Sequence, residues 1–173
     1  MKAAAARGGR VIEPPSDIPS VGRRARIADP QGAEISVFKS TSGDPPDGPV
    51  PPGHFLWNEL HTTDAPKALS FYEDVLGFSH RAMDMGAAGA YYIISRGGAD
   101  RGGVTSHLPG GARPHWLPYV HVADVDATLA RARRLGGTLP MNPEDIPGVG
   151  RIGILQDPIG AVLALIKPNP RQS

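Results

Sequence analysis

At 173 residues the chain is long enough for one domain of ordinary size and a fraction of another. Eighteen basic against 17 acidic side chains, with no long run of either sign, leave no electrostatic footprint for nucleic acid, and none is expected as a partner. The absence of cysteine excludes disulfides, thiolate metal sites and a cysteine nucleophile, and the longest apolar run, residues 161–166, is far below the roughly 20 residues a membrane span needs, so a cytoplasmic protein without a membrane partner is expected.

The first patterned segment, GGRVIEPPSDIPSVGRRARIADPQGAEISVFK at residues 8–39, carries strand candidates near 10–14, 24–28 and 33–38. TSGDPPDGPVPPG, residues 41–53, follows with five prolines and three glycines and reads as a linker. From His54 to Thr63 the side chains alternate as a strand, with Trp57, Glu59 and His61 on one face. Asp64 stands where an N-cap carboxylate would accept from first-turn amides. Pro66 falls early in the helix, where a missing N–H is harmless. Leu69, Tyr72, Val75 and Leu76 form its apolar stripe, and Gly77 ends it. Short strands are expected near 78–85, 90–96 and 102–107, completing a βαβββ unit.

A second unit repeats that order. A strand at 116–122 leads to Asp124 as cap, then to a helix with Val125, Leu129 and Leu135 on its stripe, closed by Gly136-Gly137. Strands near 138–141, 151–156 and 161–166 follow, the last two joined by Asp157-Pro158-Ile159-Gly160, which has the residue order of a type I turn. Residues 136–167 align with residues 8–39 without a gap at an offset of 128, with 14 of 32 positions identical. Composition does not produce such agreement; one segment is a copy of the other. Residues 1–40 are therefore expected to be the C-terminal remnant of a first domain, 54–168 a complete domain with units 54–110 and 114–168, and 169–173 a tail. Each unit alone would expose one apolar face of its sheet, so two units together are expected to curl around a shared cleft.

FLWNELHTTDAPKALSFYEDVLGF at 55–78, YVHVADVDATLARARRLGG at 119–137 and ILQDPIGAVLALIKP at 154–168 make the chain resemble the glyoxalase, bleomycin-resistance and extradiol dioxygenase superfamily, the vicinal oxygen chelate proteins. In particular it resembles actinobacterial members with two tandem domains. The resemblance implies an α+β fold in which paired βαβββ units form a concave eight-stranded mixed sheet, here with a partial N-terminal βαβββ remnant. It also implies metal ligands on the first and last strands of each unit, and those positions fall on Trp57, Thr105, Leu117 and Ala164. Tryptophan, leucine and alanine cannot ligate, and a lone threonine is a poor ligand, so no metal site of the usual kind and no cofactor are expected.

His61 and His121 each stand three residues before their helix-entry Asp and are expected to be equivalents. The resemblance gives the position of His61 a role in substrate binding; the plainer reading is two hydrogen-bonded wall residues. Trp57, Trp116, Tyr92 and Tyr119 suit either a flat ligand or a core. No catalytic residue is assigned. Three functions follow. The first is a metal-independent pocket for a small, partly aromatic or carbonyl-bearing ligand, with contacts from Trp57, Glu59, His61, Tyr119 and His121. The second is a lyase or dioxygenase with a divalent ion held by Glu59, His61 and His121. The third is a remnant that serves assembly, because strands without their own partner unit dock on the complete domain or on a second copy, giving a homodimer.

Overall fold

The computed structural model describes residues 1–85 and 89–170; the last three residues of the predicted tail lie outside them. In chain order the elements are α1 (Lys2–Ala6), β1 (Arg10–Ile18), β2 (Gly22–Ala28), β3 (Glu34–Ser40), β4 (Phe55–His61), α2 (Ala65–Leu76), β5 (Ser79–Asp84), β6 (Ala90–Arg96), β7 (Ala99–Thr105), β8 (His115–His121), α3 (Val125–Arg134), β9 (Thr138–Ile146), β10 (Gly150–Gln156) and β11 (Val162–Pro168). They form an α+β fold with an eight-stranded mixed sheet, ordered β5-β6-β7-β4-β8-β11-β10-β9, and a separate three-stranded sheet, β1-β2-β3. The chain divides into two compact units, Met1–Asp47 with Glu59–Trp116, and Gly48–Asn58 with Leu117–Ser173.

In the first unit, α2 begins as expected, with the Asp64 carboxylate accepting from the Lys67 amide at 3.0 Å, and it ends at Gly77, whose φ of 69° only glycine adopts without strain. Its buried residues Leu69 and Tyr72 pack with Leu60 of β4, Ile94 of β6 and Val104 of β7, while Val75 and Leu76 lie against the edge of this core. Period-two alternation therefore sends Glu59, His61, Tyr91 and Gly103 to the helix-free face. Parallel pairing of β4 with β7 sets Glu59 beside Gly103 and His61 beside Thr105.

The N-terminal segment belongs to the same core. Ala4, Ile27 and Ala33 are fully buried with Leu69, Phe71 and Tyr72 of α2. Asp29 is buried as well, its Oδ1 accepting from the amides of Gln31, Gly32 and Ala33 and its Oδ2 from the Tyr72 hydroxyl at 3.2 Å. Trp116 Nε1 donates to that hydroxyl at 3.0 Å and meets the Tyr72 ring edge-on. Of the two readings left open for Trp116 and Tyr92, the structure gives the core, because both lie on the helix side of their strands.

In the second unit, Asp124 caps α3 by accepting from Ala127, and Val125 and Leu129 pack on Leu165. Leu135 departs from its expected stripe. It falls past the helix end and is 70% exposed. The strands β9, β10 and β11 match β1, β2 and β3 boundary for boundary at the offset of 128, and α1 ends at the residue equivalent to the end of α3. The pairing registers agree too, Gly22 opposite Ser40 and Gly150 opposite Pro168. The sequence expectation for β9 was short by five residues; Pro140 and Pro143 both lie on this strand, which prolines tolerate because it is at the sheet edge.

Candidate functional site

On the helix-free face of the first unit, Glu59 and His61 meet. His61 Nε2 lies 2.8 Å from Glu59 Oε1, with both side chains close to nine-tenths buried. His61 Nδ1 is 2.8 Å from the His107 carbonyl oxygen. A carbonyl only accepts, so Nδ1 carries a proton, and any charge on the ring resides in the second proton at Nε2. Burial alone would lower the pKa of His61, but the Glu59 carboxylate and the His107 carbonyl outweigh it and hold it above the ordinary 6.5. The contact with Glu59 is an ion pair between two groups almost wholly withdrawn from solvent. The His115 ring stacks on His61 at 5.1 Å, nearly parallel, with its own Nδ1 turned to the Arg113 carbonyl.

Tyr91 completes this cluster, and the sequence reading missed it. Its hydroxyl donates to Glu59 Oε2 at 2.8 Å. The phenol occupies the space above Gly103, where a Cβ would overlap its hydroxyl and Cζ. Strand parity separates Tyr91 from Tyr92, so the signal lay in asking which of two adjacent tyrosines shares the face of Glu59.

The other predicted contacts lie in the second unit. Tyr119 is buried with Leu117, Ala164 and Ile166, and Trp57 packs against that cluster. His121 is half-buried. Its Nδ1 donates to the Val50 carbonyl at 2.7 Å, and its backbone joins the end of the predicted linker through Gly53 N–H to His121 O and His121 N–H to His54 O. Both histidines are thus fixed through Nδ1 by a backbone carbonyl from an irregular segment.

The strand registers fix which residues stand at the four positions that the resemblance gives to metal ligands. Trp57, Leu117 and Ala164 belong to an apolar cluster. The fourth position needs correcting. β11 sets Ala164 beside Tyr119, and β7 sets Gly103 beside Glu59; Tyr119 and Glu59 each stand five residues before their capping Asp. Gly103, not Thr105, is therefore the counterpart of Ala164, and it brings no donor atom in its side chain. Among the described residues no group of three or more His, Cys, Asp or Glu could hold a metal ion.

Residues 52–165 match the family model of the glyoxalase/bleomycin resistance protein/dioxygenase superfamily, and the chain belongs to that family. Among relatives, a Mycobacterium bovis protein named "Putative glyoxylase CFP32" is 38% identical over 165 residues, covering 95% of this chain and 63% of the relative. The "Anthracycline biosynthesis protein DauV" of a Streptomyces species is 36% identical over 166 residues, covering 92% and 58%. This chain thus spans less than two thirds of the length of either. Among solved structures, the Mn(II)-bound glyoxalase from Novosphingobium aromaticivorans aligns at a TM-score of 0.62 and 20% identity, over 99% of this chain and 60% of the other. The 2,2',3-trihydroxybiphenyl 1,2-dioxygenase of Sphingomonas wittichii aligns at 0.61 and 16%, over 96% and 66%. At such identities the likeness is one of fold alone.

Proposed function

We propose that this chain binds a small, partly aromatic, carbonyl-bearing compound without the family's usual metal ion. The observation that carries the reading is the set of residues at the four ligand positions: Trp57, Gly103, Leu117 and Ala164, none with a side-chain donor suited to a divalent cation. The proposed contacts are Trp57, Glu59, His61, Tyr119 and His121, with Tyr91 added through its hydrogen bond to Glu59. The anthracycline biosynthesis named for the Streptomyces relative supports a flat aromatic ligand bearing oxygen functions.

One observation favours a metal-dependent lyase or dioxygenase instead. His61 and His121 both have Nδ1 anchored on a carbonyl, which is how proteins orient an imidazole for ligation through Nε2. Elemental analysis of protein purified without a histidine tag separates the two. The binding reading expects ligand titration to proceed at less than one tenth of an equivalent of divalent metal. A stoichiometric ion that disappears in His61→Ala would sink it. As for assembly, we propose a homodimer through the outer edge of β3.

A further inference from the structure

The two copies of the repeated segment meet different surroundings at one end. In the first copy, Arg7, Gly9 and the turn at Asp29 lie against α2. The Phe71 ring stands directly over Gly9, where a Cβ would come within 2.6 Å of its Cε2. The Tyr72 hydroxyl donates to Asp29 Oδ2 at 3.2 Å, and Arg7 Nε pairs with Asp74 Oδ2 at 3.1 Å. An aromatic pair and an acid on one helix thus hold this end of the segment.

At the offset of 128, the same end of the second copy is residues 135–137 with the turn 157–161. It is one continuous surface: a Cβ on Gly136 would touch Pro158 Cγ at 3.5 Å, and Gln156 pairs with both Thr138 and Val162. Here Arg7, Gln31 and Glu34 are replaced by Leu135, Ile159 and Val162, which are 70%, 92% and 41% exposed. The copy with no helix over it is therefore the more apolar one, the reverse of what contact with water alone favours. Nearest to a Cβ on Gly137 are backbone atoms of Gln156 and Ala132 in place of the ring that covers Gly9. Asp157 Oδ1 accepts from Ile159 and Ala161, but its Oδ2, the oxygen that holds Tyr72 in the first copy, has no hydrogen-bond partner among the described residues.

Charge adds a sign to the missing cover. Ala3, Ala5 and Ala6 of the first copy correspond to Arg131, Arg133 and Arg134 in the last turn of α3. Arg133 reaches Asn142, and among the described residues none of the three pairs with a carboxylate. Three arginines beside an apolar patch suit an acidic partner.

We propose that this end of the second unit docks an acidic helix of another protein that carries an adjacent Phe-Tyr pair, as α2 carries Phe71 and Tyr72. The partner's phenylalanine covers Gly137 between Leu135 and Ile159, its tyrosine hydroxyl donates to Asp157 Oδ2, and its carboxylates, displayed as Glu73 and Asp74 are on α2, meet Arg131 and Arg134.

The probe is a labelled peptide with the sequence of residues 62–78, TTDAPKALSFYEDVLGF, held helical by a staple on the side away from its Phe-Tyr pair. Fluorescence anisotropy against the full chain should show saturable binding. Ile159→Gln combined with Leu135→Glu alters two exposed side chains, so the fold is kept, and should weaken binding at least about tenfold, as loss of a buried isoleucine implies. A peptide with its Glu-Asp pair changed to Gln-Asn should bind at least about threefold more weakly in low salt, with the difference shrinking as salt is raised. Anisotropy that stays flat to about 1 mM, or equal binding of the two peptides, overturns the proposal. So does an affinity that survives the double variant and rises in Arg7→Ala, because the peptide would then be displacing α2 from the first copy.

Discussion

The charge on His61 depends on Glu59, and that dependence is measurable without any ligand. A histidine whose folded pKa lies above 6.5 holds its proton more tightly folded than unfolded. Its contribution to stability is therefore complete below 6.5 and is lost as pH rises through the folded value. The melting temperature of the wild type should thus exceed that of Glu59→Gln most just below pH 6.5, where His61 is charged, and the gap should narrow toward pH 9. A gap that widens with pH would mean that His61 folds neutral. A second test at this scale concerns Gly103. Gly103→Ala forces the Tyr91 phenol aside and should destabilise by about 1–3 kcal/mol, as overpacking does. In a Tyr91→Ala background the same change should be close to neutral in denaturant unfolding, because the clash is gone. Glu59 and His61 were legible from strand alternation. Tyr91 was not, because its importance comes from a space three strands wide that only pairing reveals.

At the level of elements, the two copies of one turn have different fates. Asp157 accepts from Ile159 and Ala161 in an exposed turn, whereas Asp29 at the equivalent position is buried and also holds Tyr72. Burial raises the pKa of Asp29, and the four hydrogen bonds it accepts only partly offset that. Asp29→Ala takes the acceptor from the buried Ala33 amide and the buried Tyr72 hydroxyl, and about 3 kcal/mol of destabilisation is expected. Asp157→Ala, whose amides can turn to solvent, should lose about 1 kcal/mol. Equal losses in chemical denaturation would show that the Asp29–Tyr72–Trp116 chain contributes nothing. The fold was largely legible: caps at Asp64 and Asp124, the stop at Gly77 and the 128-residue offset all have local causes. The seating of the N-terminal segment on α2 was not, because it depends on Ala4, Ile27 and Ala33, small or ordinary residues whose partners lie far away in the chain.

For the whole molecule, the open question is what meets the outer edge of β3. Its counterpart β11 pairs with β8 in parallel through Ala164, Leu165 and Ile166. The equivalent residues Ser36, Val37 and Phe38 lie on the last strand of a three-stranded sheet, with Phe38 52% exposed. The sheet's open face is protected by charge. Where the second unit has Ile152 and Ile154, the first copy has Arg24 and Arg26, both paired with Glu13 at 3.2 and 2.8 Å. Face-to-face stacking is therefore disfavoured, whereas the edge keeps backbone groups that another strand can use. The N-terminal strands also lie against α2 of their own chain, so a dimer would have to form through what they leave exposed. Sedimentation velocity at micromolar concentration should show a dimer, and Phe38→Lys, which places on the edge the residue that natural sheets use to block pairing, should shift it to monomer without lowering the melting temperature by more than a few degrees. A wild-type chain that stays monomeric as concentration is raised a hundredfold would show that charge on the neighbouring face is enough to keep this edge apart.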